Sequence, residues 1–421
     1  MVFKNFLKLK EYRLTTDAVD FINYDGPKFS YGDKPLGDEL FFKAEGLLTQ
    51  RGIHEQTINV EEQNGIPTFF AVKDAAMPYD PFAAVFYMLS RYEEYLPHLR
   101  DIHDRFPLNQ SLAFQENFHH KAVVDRWCLQ LKSFLNEQFE GLKFEERQYV
   151  FLPTYDIDNA YAYRQKGVLR TVGALAKNLI KLKFGKIKVQ LLVLLGQRKD
   201  PFDTYHYQMN LQRKYNLTPI YFFLLGDYGN NDKNLSHENR HFQSLIKRIA
   251  DYAQVGIHPS YNSNDDEDKI RTEIRRLERI VKRDVLKSRQ HFLKINFPST
   301  YRSLLEADIT EDYSLGFAAD IGFRAGTCTP FTFYDLDEEL ERNLLLKPFQ
   351  IMESSLKYYQ KLSAEEAMNH LKPIVDEVKA VGGTLISLWH NESLSDEDEW
   401  EGWRKVYDDF IQYASPTIKL K

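Results

Sequence analysis

The sequence predicts an α/β protein: a distorted (β/α) barrel of about seven strands, preceded by a smaller α+β domain. Two observations carry this. From residue 149 to the end, short apolar runs alternate with charged stretches of helical periodicity, about seven times, which is the signature of parallel strands joined by crossover helices. Before that point, helical and short strand-like segments mix without such an alternation. The division falls at 1–148 and 149–421. With 421 residues, 43% apolar and 28% charged, the chain can bury a barrel-sized core plus a small domain. The same figures exclude disordered, collagen-like and disulfide-scaffold classes.

In chain order, Phe82–Tyr95 reads as a helix with Pro81 at its first turn. Val123–Phe139 reads as a second, with apolar residues at helical spacing. Tyr149–Tyr155 is the first apolar strand, followed by a helix over Tyr205–Tyr215 and a strand over Thr218–Leu225. Then come a helix over Glu238–Ala253, a short strand over Gln254–His258, a charged helix over Asp266–Arg283 and a strand over Ser288–Ile295. Ser299–Glu306 is helical, Leu315–Phe323 strand-like, and Leu344–Met352 another apolar run. Ala364–Ala380 is a helix stopped by Gly382 and Gly383. Leu385–Trp389 is the last strand and Asp396–Tyr413 the last helix.

In parallel barrels the reacting groups sit at the C-terminal strand ends. Those ends supply Asp156 and Asp158, then His258, Arg289 with His291, Asp320 with Arg324, and finally His390. Singly, each has a plain reading: an N-cap, a hydrogen-bonded core imidazole, a surface ion pair. Together, carboxylates and imidazoles at successive strand ends point to a divalent metal with acid–base groups beside it.

Lys plus Arg is 55 and Asp plus Glu 61, a net charge of −6, which predicts no nucleic-acid partner. The two cysteines, Cys128 and Cys328, form no disulfide framework or metal motif, and the start lacks a signal-peptide apolar core. The expected location is cytoplasmic, or peripheral to the inner face of the membrane. The second option comes from residues 164–199, which carry ten Lys or Arg and no acid, with Leu169, Val172, Leu175, Leu179 and Ile180 interleaved. Such a segment can lie on an anionic bilayer. The plainer reading is a solvated helix face packed on the body of the protein.

The strand-end residues resemble the polysaccharide deacetylase (NodB-homology) family, carbohydrate esterase family four. The likeness is carried by Thr154-Tyr155-Asp156-Ile157-Asp158, Pro219–Gly226, Val255–Asn262 around His258, Arg289, and Leu388-Trp389-His390. Tyr79–Phe82 and Ser90–Tyr95 resemble a domain that precedes some bacterial members. The chain departs from the family pattern at Ile157, where an Asp stands, and at Asn262, where a His stands.

The resemblance implies hydrolysis of N-acetyl or O-acetyl groups on a glycan, free or lipid-linked. It implies a divalent ion, zinc first and cobalt or manganese as options, held by Asp158, His258 and His291, with Asn262 the other candidate for the third place. Asp156 would be the base and His390 the acid. Arg289 would orient Asp156, and Asp320 would orient His390. Arg324, Trp389, Tyr261 and Asn262 would contact substrate, and Tyr155 and Phe292 are further aromatics at strand ends. Two other readings stay open: a non-catalytic glycan-binding protein with a decayed metal site, and a glycosyltransferase using Asp156-Ile157-Asp158 as a D-x-D triplet.

Overall fold

The computed structural model describes residues 1–416. In the N-terminal region, β1 (Phe29–Gly32) and β2 (Leu40–Lys43) pair in parallel, and β3 (Glu61–Gln63) and β4 (Ile66–Thr68) form an antiparallel hairpin. The helices here are α1 (Ala18–Ile22), α2 (Pro81–Leu89), α3 (Leu112–Gln115) and α4 (Val123–Gln138). Asp80 starts α2: its carboxylate accepts from the N–H groups of Phe82 and Ala83, both at 3.0 Å, and Pro81 takes the first position where no N–H is needed. Trp127 on α4 is buried and donates its indole N–H to the Pro67 carbonyl at 2.8 Å.

The helix expected over Phe82–Tyr95 ends early, at Leu89. Arg91 takes a left-handed backbone (φ 54°), and its buried guanidinium pairs with Glu93 at 2.6 Å and Glu94 at 2.9 Å. A continuing helix would not bring those three side chains together.

The larger part is a nine-stranded mixed sheet with helices between its strands. Its strands are β5 (Val150–Ile157), β6 (Ile220–Leu224), β7 (Gln254–His258), β8 (Lys287–Ser288), β9 (Glu311–Asp312), β10 (Phe331–Asp335), β11 (Leu340–Leu346), β12 (Ile351–Met352) and β13 (Thr384–His390). Their order is β10-β11-β9-β8-β7-β6-β5-β13-β12. All neighbours pair in parallel except β10 with β11. The order is open, so strand pairing does not close the expected barrel. Residues between β11 and β12 instead bond to both sides. Lys347 N–H reaches the Asp312 carbonyl at 2.8 Å, and Gln350 N–H reaches the Ile386 carbonyl at 3.0 Å.

The connecting helices are α5 (Gly167–Ile180), α6 (Phe184–Leu194), α7 (Tyr205–Tyr215), α8 (Arg240–Ala250), α9 (Glu267–Val281), α10 (Ser299–Glu306), α11 (Ala364–Ala380) and α12 (Trp403–Ala414). Three of their starts are capped by side chains: Asn239 for α8, Asp266 for α9, and the Ser363–Glu366 capping box for α11. Gly382 at φ +59° follows α11, as the stop signal predicts.

Strand alternation sorts the core into two layers. Ile220, Phe222, Ile386 and Leu388 share one apolar cluster with Leu293, Tyr313, Phe349 and Met352. Tyr155, Tyr221, Phe223 and Trp389, of opposite parity, pack into the larger cluster with the helices.

Two expected elements differ, and one unexpected element appears. The strand over Ser288–Ile295 is only two residues long. Beyond it the His291 N–H turns to the Pro259 carbonyl at 3.1 Å, and Phe292 and Leu293 adopt φ of 59° and 54°. Leu315–Phe323 forms no strand, because its backbone groups bond to scattered partners: Gly322 N–H to Gln350, Phe323 N–H to His119, and the Ala318 carbonyl to Ser355. The β10–β11 hairpin arises where no strand pair was expected.

Residues 164–199 form α5 and α6, a helical hairpin in which no α5 side chain is buried. The packed-helix reading of this stretch therefore does not hold for α5. Among the described residues no helix is long and apolar enough to cross a membrane.

Candidate functional site

The C-terminal ends of β5, β7, β8 and β13 converge on one point. Asp158, one residue past β5, faces two imidazoles: His258 Nε2 lies 3.2 Å from its Oδ1 and His291 Nε2 lies 3.4 Å from its Oδ2. One ligand atom from each of the three lies within 4.8 Å of the others. In tetrahedral zinc with bonds of about 2.0–2.2 Å, neighbouring ligand atoms stand about 3.3–3.6 Å apart; the 3.2 and 3.4 Å approaches, each to a different oxygen of Asp158, are close to that spacing.

Both imidazoles are pre-oriented. His258 Nδ1 lies 2.5 Å from the Arg289 carbonyl, which can only accept, so Nδ1 carries the proton and Nε2 faces Asp158. His291 Nδ1 donates to Asp232 at 2.9 Å, and the buried Asp232 is itself fixed by the Tyr261 N–H at 2.8 Å. Carboxylate and carbonyl partners of this kind orient metal-binding histidines. The buried Oδ1 of Asp158 has no hydrogen-bond partner, although both rings are turned to the carboxylate. Two imidazole nitrogens and one carboxylate oxygen are a donor set suited to zinc, cobalt or manganese.

Asp156 and His390 flank this group. The buried Asp156 accepts from Arg289 at 3.0 Å through Oδ1, while its Oδ2 lies 3.7 Å from His258 Nε2. Arg289 is fully buried, bonded to Thr154 at 2.6 Å and to the Tyr313 carbonyl at 3.0 Å, and lies over the Phe222 ring. His390 Nε2 stands 3.8 Å from Asp158 Oδ2. Its Nδ1 is held by Glu353 at 2.8 Å, which also accepts the His390 backbone N–H.

The electrostatics follow. Burial disfavours a charged His390, but Glu353, with Asp158 and Asp156 behind it, outweighs burial and holds the imidazole well above its usual range. Burial likewise opposes charge on His291, and Asp158 and Asp232 overcome it, raising it to about 9. Burial alone would raise Asp158, yet His291, His258 and His390 hold it well below the usual carboxylate value.

Several expected positions lie elsewhere. Asp320 does not orient His390; it accepts from His119 at 3.1 Å and from the Ile321 N–H at 2.7 Å, with His120 at 3.5 Å and Gln360 in contact. Arg324 does not line the site; its guanidinium is buried against Glu94 at 2.9 and 2.6 Å. Trp389 is fully buried, packed on Tyr407 and Phe410, and Tyr155 is buried beside Tyr221 and Tyr407. Neither can stack on a ligand at the strand ends. Asn262 is exposed and bonds Asp232 only through its backbone N–H at 3.4 Å, so it is His291 that joins Asp158 and His258. Tyr261 is half-buried at the rim, edge-on to Phe292 and His103.

Sequence reasoning missed Asp232, Glu353 and the contribution of residues 101–105. The buried Arg105 reaches across from the N-terminal region to the Phe292 carbonyl at 2.7 Å and to Tyr359 at 3.0 Å, and His103 lies against the Phe292 ring. Arg105 thus clamps the left-handed backbone that follows His291. Glu353 carried a signal: it directly follows the apolar Phe349–Met352 run, so recognising β12 would have marked it as another strand-end carboxylate. Asp232, in a loop, carried none.

Residues 1–140 match a family of unknown function, DUF7033. No curated protein matches the chain. Several solved structures resemble it at low identity. A protein assigned as a polysaccharide deacetylase from Mycobacterium smegmatis is 13% identical over 63% of this chain and 85% of that one, with a TM-score of 0.40. Puue allantoinase is 12% identical over 63% and 83%, with a TM-score of 0.41. A family 4 carbohydrate esterase from Streptomyces lividans, in complex with acetate, is 10% identical over 63% and 90%, with a TM-score of 0.30.

Proposed function

We propose that the protein is a metal-dependent hydrolase that removes acetyl groups from N- or O-acetylated sugars. The observation that carries this reading is the convergence of Asp158, His258 and His291 on one point, with Asp156 and His390 on its flanks. Asp158, His258 and His291 would hold the ion. When bound there, a divalent cation supplies a water acidified towards a pKa of about 7 and a polarised acyl carbonyl.

The chain's own groups divide the remaining work. Arg289 occupies Oδ1 of Asp156, leaving Oδ2 free to take the proton of the attacking water. Glu353 fixes the His390 ring through Nδ1 and keeps it charged, so Nε2 can deliver a proton to the departing amine or alcohol. An amine leaves poorly without that proton. Asp156 and His390 are paired neighbours on β5 and β13, so base and acid would act side by side at the same strand ends. The partly exposed rim aromatic Tyr261 would meet the sugar.

Acetate release from chitooligosaccharides or an acetylated aryl ester, with zinc, cobalt or manganese added, tests the reading. Asp156→Asn and His390→Ala should each abolish release while the circular dichroism spectrum is kept. Full activity in both variants would overturn it.

A further inference from the structure

The α5–α6 hairpin has a surface that the site chemistry does not use. Ten of the exposed large apolar side chains fall between residues 168 and 195. On α5, Val168, Leu169, Val172, Leu179 and Ile180 recur at helical spacing, and Leu169 is 90% and Ile180 82% exposed. This is the stripe that a helix packed on a protein body turns inward, and here it faces out. Phe184, just past the turn between the helices, extends the stripe.

The charge around it is of one sign. Residues 164–199 hold ten Lys or Arg and no acid. Lys186 and Arg198 pair with Asp398 and Glu397 at 2.9 and 2.6 Å, which ties the hairpin to the body. Lys177, Lys181, Lys183 and Lys188 form no salt bridge among the described residues. At the hairpin's base, a hollow of about 450 Å³ is lined by Arg164, Arg198 and Lys199 with Val193 and Leu194.

We propose that this hairpin docks the protein on an anionic lipid bilayer, with its apolar stripe in the headgroup–acyl boundary and its lysines among the phosphates. A partner of this kind needs apolar depth and negative charge together, which is what the hairpin complements. A second copy is disfavoured, because two such faces would bring like charges together. A nucleic acid would answer the lysines and leave the apolar stripe in water.

The hairpin leaves the sheet at the C-terminal end of β5, the end that carries Asp156 and Asp158. On the function proposed above, docking would hold that site at the lipid surface, where a lipid-linked glycan is presented. Vesicle binding is measured without substrate, so failure to dock and failure to hydrolyse are separate results.

The experiment is co-sedimentation of the full chain with phosphatidylcholine vesicles, with and without phosphatidylglycerol, at low and high salt. Binding is expected only with phosphatidylglycerol and is expected to weaken with salt. Lys177, Lys181, Lys183 and Lys188 changed together to Gln should lower partitioning at least about tenfold. The double variant Leu169→Glu, Ile180→Glu should abolish it. All these positions are exposed, so the fold should persist by circular dichroism. No binding to phosphatidylglycerol vesicles at low salt would overturn the proposal, as would unchanged binding in both variants. So would a dimer or protein complex that Leu169→Glu, Ile180→Glu dissolves in a chain that binds no vesicles.

Discussion

His119, His120 and Asp320 meet where the N-terminal region touches the sheet, and they match the spacing of the strand-end group: Nε2 to carboxylate oxygen is 3.1 and 3.5 Å there, against 3.2 and 3.4 Å at Asp158. Spacing does not separate the two clusters; their surroundings do. Asp320 is saturated, since the Ile321 N–H and the Gln360 amide occupy one oxygen while His119 and His120 share the other. Asp158 keeps a buried oxygen with no hydrogen-bond partner. The outer nitrogens differ in the same sense. His258 and His291 are held by the Arg289 carbonyl and by Asp232, whereas Nδ1 of His119 is buried without a partner. One cluster spends its polar groups on itself and serves as a joint. The other is propped from behind and leaves its polar atoms aimed at a common point.

The largest effect that could break this contrast is in metal content. The chain should bind one divalent ion. His258→Ala should reduce that to near none and remove activity, while His119→Ala should leave it unchanged, as read by elemental analysis after dialysis. An ion retained in His258→Ala and lost in His119→Ala would reverse the assignment. A second buried contact between the N-terminal region and the rest of the chain, separate from the His119–Asp320 joint, should show its weight in stability instead. Glu94, buried between Arg91 and Arg324, is the carboxylate partner of Arg324 and shares Arg91 with Glu93. Burial would raise its carboxyl, but the two arginines hold it below its usual value. Glu94→Ala strands the buried Arg324 and leaves Arg91 with Glu93 alone, and should cost about 3–5 kcal/mol in urea unfolding. Metal content per folded molecule should stay the same. A loss below about 1 kcal/mol would show that the network is dispensable.

Much of this site was legible in the sequence because strand parity and strand ends are one-dimensional features. Asp156, His258 and His390 follow directly from reading the last residues of apolar runs. Parity also held information against two expected contacts. Trp389 and Tyr155 are each one residue from a site group, so they must point to the opposite face of their strands, into the helix layer. The crossover helices were equally readable, since capping residues and apolar spacing are local. What stayed hidden depends on contacts across the chain. The gap in the strand order is bridged by residues 347–350, which bond to both β9 and β13, and Asp320 went to His119 rather than His390 because the N-terminal region packs there. Arg105, nearly 190 positions from Phe292, had no local sign at all.

A middle-sized effect should come from behind the strand-end cluster. Asp232→Asn keeps the side chain's shape but removes the charge that fixes His291. Losing such an outer partner should weaken metal affinity about 10–100-fold, as read by competition with a chromogenic chelator. Gln360→Ala, behind the joint, should leave that affinity unchanged. Equal affinities in Asp232→Asn and the unaltered chain would mean that His291 is positioned by packing alone, with Phe292 and the Arg105 clamp as the remaining causes.

The smallest effect concerns the loop that carries His258 onward to Tyr261. Glu273, reaching up from α9, accepts from the Ser260 N–H at 2.8 Å and the Ser260 hydroxyl at 2.6 Å. Burial raises its carboxyl to about 7, the Ser260 bonds only partly opposing it. Because the folded-state value lies above the unfolded one of 4.5, the folded protein binds the extra proton between them. Stability should therefore be greatest below about pH 4.5 as far as this group is concerned, and should fall as pH rises through about 7. Denaturation midpoints across that window should slope downward, and Glu273→Gln, which cannot ionise, should flatten the slope. An unchanged slope in the variant would assign the pH dependence to other groups and leave Glu273 as a neutral prop of the loop.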